Sequence, residues 1–67
     1  MRSLAFLLLL AAAPAFAQPE LHRARGDAWR ALDEFRAALA EYDAALRLAP
    51  QDAALLAERA LTLHRLG

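Results

Sequence analysis

The chain has 67 residues with eight basic and eight acidic side chains, so at most one small domain is present and no net charge draws it to a polyanion. It contains no cysteine, which excludes a disulfide-stapled mini-protein, a thiolate zinc site and a cysteine-linked lipid anchor. Half of the residues are Ala or Leu, and Val, Ile and Asn are absent, a composition that favours helix throughout and disfavours strand.

The first 17 residues read as a removable export signal. Arg2 supplies a short positive start, Leu4 to Ala13 an apolar run, and Ala15-Phe16-Ala17 an A-x-A cleavage pattern before Gln18. The run is shorter than the roughly 20 residues a membrane span requires. The expected destination is outside the cytoplasm, periplasmic or secreted, with membrane contact only through the uncleaved signal. Residues 18–67 then carry seven Arg against eight Asp and Glu.

Three helices are predicted in this region. Pro19 suits the first helical position, because its missing N–H would have no intrahelical partner, and Glu20 suits the positive end of the dipole. The first helix runs to about Leu32, with Leu21, Ala24, Ala28 and Leu32 at helical spacing and Trp29 as a large aromatic anchor. Asp33 is the expected N-cap of the second helix, in which Phe35, Ala38, Leu39, Tyr42, Ala45, Leu46 and Ala49 keep the three-four rhythm until Pro50. Asp52 caps a third helix carrying Leu55, Leu56, Leu63 and Leu66, which ends at Gly67. Such short connections require consecutive helices to pack antiparallel.

Residues able to carry chemistry are few. His22 and His64 have no third ligand at metal-binding spacing, and Thr62, the one Ser, Thr or Cys after the signal, lies inside a helix. The carboxylates Asp33 with Glu34, and Glu41 with Asp43, fit a solvated helix face better than an acid–base pair; Asp43 with Arg47 reads as an i,i+4 ion pair. Neither catalysis, a cofactor nor a metal is expected. The group His22, Arg23, Arg25 and Arg30 is interrupted by Glu20 and Asp27, which argues against nucleic acid, and the polar faces alternate in sign rather than being cationic as a membrane-active helix requires.

Sliding the chain against itself by 34 residues places Leu21 on Leu55, Arg25 on Arg59, Gly26 on Ala60, Trp29 on Leu63 and Leu32 on Leu66. Small falls on small and large apolar on large apolar, at the period of about 34 residues typical of one class of helical-hairpin repeat. The segment resembles the tetratricopeptide repeat: Gly26 and Trp29 resemble its first-helix signature, and Ala38, Tyr42, Ala45 and Pro50 its second. His22, Arg25 and Arg59 depart from the commonest pattern. The resemblance implies an all-α antiparallel helical hairpin, with residues 19–52 as one repeat and 53–67 as the first helix of another. In that arrangement Gly26, Ala38 and Ala45 are small because helix axes come close, and Leu21, Leu32, Phe35, Leu39 and Leu46 fill the remaining space.

The resemblance further implies a protein- or peptide-binding scaffold whose inner surface is lined by Glu20, Arg23, Asp27, Arg30, Ala57, Leu61 and His64. Two alternatives are a dimerisation or assembly element and an accessory region of a larger exported enzyme. One and a half repeats leave the apolar side of the third helix bare, so the expectation is a longer natural chain or self-association through that open end.

Overall fold

The computed structural model describes residues 14–67, and side chains from residue 18 onward. Among these residues it contains three helices and no strand: α1 (Pro14–Ala31), α2 (Phe35–Leu48) and α3 (Ala53–Leu66). Most of the predicted export signal, residues 1–13, lies outside the described residues. No helix among the described residues is long and apolar enough to cross a membrane.

Helix α1 starts earlier than expected. It begins at Pro14 and passes through Pro19, rather than starting there. Proline removes one i→i−4 bond, but it already has a helical φ, and the Ala-rich Ala15-Phe16-Ala17-Gln18 stretch propagates helix on its upstream side.

The α1–α2 turn also differs from the sequence expectation. Asp33 is not the N-cap of α2; it sits in the left-handed region at φ +59° and closes α1. The Glu34 N–H donates to the Trp29 carbonyl at 2.9 Å and the Asp33 N–H to the Arg30 carbonyl at 3.0 Å. This is the double bond of a Schellman stop, which needs a left-handed residue just past the helix; with no Gly or Asn available, Asp fills it because its short polar side chain tolerates that conformation. Glu34 takes the N-cap position of α2 and makes no side-chain capping bond. The other ends follow expectation. Ala49 and Pro50 end α2, the Asp52 carboxylate accepts from the Leu55 N–H at 3.2 Å, and Gly67 at φ +84° donates to the His64 carbonyl.

Cross-helix bonds give the helix directions. The three-residue turn at 32–34 sends α2 back along α1, where His22 Nδ1 lies 2.8 Å from Glu41 Oε1 and the Tyr42 hydroxyl donates to Asp27 Oδ1. Arg59 Nε donates to Asp43 Oδ1 at 2.6 Å and the Arg65 guanidinium lies over Phe35, so α2 and α3 are likewise antiparallel. Both α1 and α3 pack on α2, and their backbones barely meet each other. Asp43 therefore pairs across helices with Arg59, not along its own helix with Arg47, because α3 brings a guanidinium alongside.

The buried core lies on one face of α2. Ala38, Tyr42 and Ala45 are fully buried, Leu55 of α3 joins them, and Leu46 and Ala49 pack against the cluster. Gly26 of α1 is buried under the Tyr42 ring, and a Cβ there would lie 2.6 Å from Cε1. Glycine is thus required by a close approach of α1 to an aromatic ring. The small residues mark close contacts, but the expected fillers divide: Phe35, Leu39 and Leu46 are half-buried, whereas Leu21 and Leu32 are exposed. Trp29 is exposed as well, and Tyr42 is the aromatic that anchors the core.

Candidate functional site

Because α1 and α3 run parallel on the same side of α2, their C-terminal halves leave a cleft of about 530 Å³ between them. Asp27 and Arg30 line it from α1, Leu61 and His64 from α3. These four are among the seven residues singled out in the sequence. Arg30 and His64 stand 34 positions apart, as do Asp27 and Leu61, so the cleft brings together pairs that the internal shift superimposes.

The other three lie elsewhere. Glu20 and Ala57 are exposed and do not line the cleft. Arg23 is turned into an ion pair: its Nε and Nη2 both donate to Glu58 Oε1, at 3.2 and 2.8 Å. That bond raises the Arg23 pKa further, chiefly through the hydrogen bond and then the charge of Glu58. Glu58 Oε2 is buried and has no partner among the described residues.

Asp27 is the electrostatic centre of the site. Burial alone would raise its pKa, but hydrogen bonds with Tyr42 and with the Glu58 carboxyl, then the Arg30 and Arg23 charges, together hold it below the usual carboxylate range. The Tyr42 hydroxyl is 2.5 Å from Asp27 Oδ1, and burial, then this bond and the Asp27 charge, push its pKa well up. Arg30 stands 3.7 Å from Asp27 Oδ1, too long for a hydrogen bond, with its guanidinium 5.8 Å from the centre of the Tyr42 ring. The cleft therefore keeps Asp27 ionised and Tyr42 neutral, with Arg30 held by a ring face and a loose carboxylate contact.

Phe35 of α2 and Arg65 of α3 complete the mouth, the guanidinium lying 5.8 Å from the ring centre. Neither was among the seven residues expected on the inner surface. Arg65 was within reach of the internal shift, which places it on Ala31, another lining residue; Phe35 lies on α2, outside the first-helix pattern. Glu58 falls on Ala24 in the same shift, so periodicity carries no hint of its role.

The arrangement is suited to holding a ligand by apolar contact and hydrogen bonds. Leu61 and Phe35 offer apolar surface, and Arg30, Arg65 and His64 offer donors. The Thr62 hydroxyl is fully buried and donates to the Glu58 carbonyl within its own helix at 2.7 Å, so it is not presented to the cleft. No protein family, curated protein or solved structure matches this chain.

Proposed function

We propose that the chain is an exported, tetratricopeptide-type helical-repeat module that binds a protein or peptide segment in the α1–α3 cleft and performs no catalysis itself. One observation carries this reading: residues 34 apart, Arg30 with His64 and Asp27 with Leu61, line one open cleft of mixed polarity. A cleft that is partly apolar and has a few fixed polar groups suits an extended segment of another chain. Export rests on the Leu4 to Ala13 run and the Ala15-Phe16-Ala17 pattern, and N-terminal sequencing of secreted protein tests it; a mature start at Gln18 is expected.

Selection of a random peptide library on the full chain tests the binding role. The expected result is a set of peptides whose binding is lost in Leu61→Asp and kept in Ala54→Asp, a change at an exposed residue outside the cleft. Peptides indifferent to Leu61, or no enrichment at all, would overturn it.

A second reading, assembly through α3, is favoured by a different observation. Leu56 is 48% exposed, Leu63 43% and Leu66 41%. Leu56, Ala60 and Leu63 take the positions that His22, Gly26 and Trp29 hold on α1, where His22 and Gly26 meet α2. Sedimentation of the native chain against Leu56→Glu with Leu63→Glu tests this reading: a larger species that the double variant dissolves would favour assembly, and a native monomer would exclude it.

A further inference from the structure

We propose that Arg23 and Glu58 form a polar clasp that sets the separation of α1 from α3, and with it the width of the cleft, while the fold itself is held by packing on α2. The argument begins with what joins the two helices. Each packs on α2, their backbones barely meet, and two hydrogen bonds from Arg23 to Glu58 join them, with the Asp27 carboxyl of α1 interacting with the same Glu58. The bond lies on the N-terminal side of the cleft: Arg23 precedes Asp27 and Arg30 by one and two turns, and Glu58 precedes Leu61 and His64 in the same way. Beyond it the helices face each other across open space.

The clasp's geometry suits a spacer better than a stabiliser. A guanidinium can grip a carboxylate with two parallel bonds, one to each oxygen. Here both donors converge on Oε1, and Oε2 is buried without a partner. Desolvating a carboxylate oxygen without a donor is unfavourable, and ion pairs of this kind can be replaced by apolar side chains at little loss of stability. What the pair contributes is a defined distance: a guanidinium and a carboxylate must meet head to head, whereas two apolar side chains can slide past each other. The core contacts that hold each helix, Gly26 under Tyr42 and Leu55 against the Ala38 cluster, do not involve the pair. The proposal concerns the cleft itself and stands whether or not its ligand is a peptide.

The test is a spin-label distance measurement on the full chain, which has no native cysteine, with labels at Ala28→Cys on α1 and Ala60→Cys on α3, both exposed and outside the cleft lining. The native pair is expected to give one narrow distribution. Arg23→Met with Glu58→Leu is expected to keep its helicity and its melting transition but to give a broader distribution. The reversed pair, Arg23→Glu with Glu58→Arg, is expected to narrow it again. An apolar variant with the native distribution would overturn the proposal. So would an apolar variant that fails to fold, because the pair would then support the fold rather than set a spacing.

Discussion

The two helix contacts made by α1 are built on opposite plans. Against α2, α1 places a buried glycine beneath an aromatic ring that is itself fully covered. Against α3, it offers one ion pair with an unpartnered oxygen and then an open cleft. The first contact has no slack, since close-packed interiors resist even one added methyl group. The second is polar, accessible and joined at one level. A small helical protein can thus keep one seam rigid and leave the neighbouring seam adjustable, and the candidate site lies on the adjustable one.

The strongest way to break this contrast is to add volume to the rigid seam. Gly26→Ala should destabilise by about 1–3 kcal/mol through overpacking against Tyr42, more than the gain of about 1 kcal/mol that alanine brings to a helix interior. Urea unfolding followed by circular dichroism checks it, and a stabilised variant would mean that the ring can move aside.

A smaller effect is expected where the two seams meet. Tyr42→Phe keeps the ring over Gly26 and removes the bond to Asp27, at a cost of about 1 kcal/mol. It should also change the pH profile. Asp27 titrates below its ordinary value in the folded state, so its contribution is present above about pH 4 and is lost as pH falls through the lowered folded value. Tyr42 titrates above its ordinary value, so its contribution is present below about pH 10 and is lost at higher pH. In Tyr42→Phe the alkaline loss should disappear and the acid loss should become shallower; thermal melts across pH measure both.

The turn between α1 and α2 gives a milder change of opposite sign. Asp33→Gly removes the side-chain strain at φ +59° and should stabilise by about 0.5 kcal/mol, part of the gain being offset by the greater freedom of glycine in the unfolded chain. The smallest effect belongs to the surface pair. Asp43→Asn should cost less than about 1 kcal/mol, because both partners are roughly half exposed and salt screens them. Melting temperatures in low and high salt separate these two variants, as only the second should respond.

The helix limits that sequence rules anticipate, Pro50, Asp52 and Gly67, are those where one residue has one local job. Asp33 has two candidate jobs, cap of the next helix or left-handed stop of the last, and only the geometry of the turn decides between them. Spacing also identified Ala38, Tyr42 and Ala45 as core positions, because a single face of α2 recurs at three and four, and the repeat resemblance added Gly26 on α1. Trp29 and Leu21 carry the same apolar signal yet are exposed, since periodicity marks an apolar stripe without saying how much of it another helix covers. Of the cleft, Asp27, Arg30, Leu61 and His64 were legible through the repeat resemblance, which implied them as inner-surface positions. The Arg23–Glu58 bond was not, because it joins a repeated position to an unrepeated one, and Asp43 chose Arg59 over Arg47 for reasons that exist only once α3 is in place.

The measurement that bears most directly on the close-packed face of α2 compares two substitutions of equal size on that helix. Ala45 is fully buried and Ala40 is exposed, so leucine at either adds the same volume in opposite surroundings. The account predicts a urea midpoint for Ala45→Leu well below that of Ala40→Leu, by the equivalent of about 1–3 kcal/mol. Equal midpoints would contradict it, because α2 would then have no closely packed face against which α1 and α3 are set.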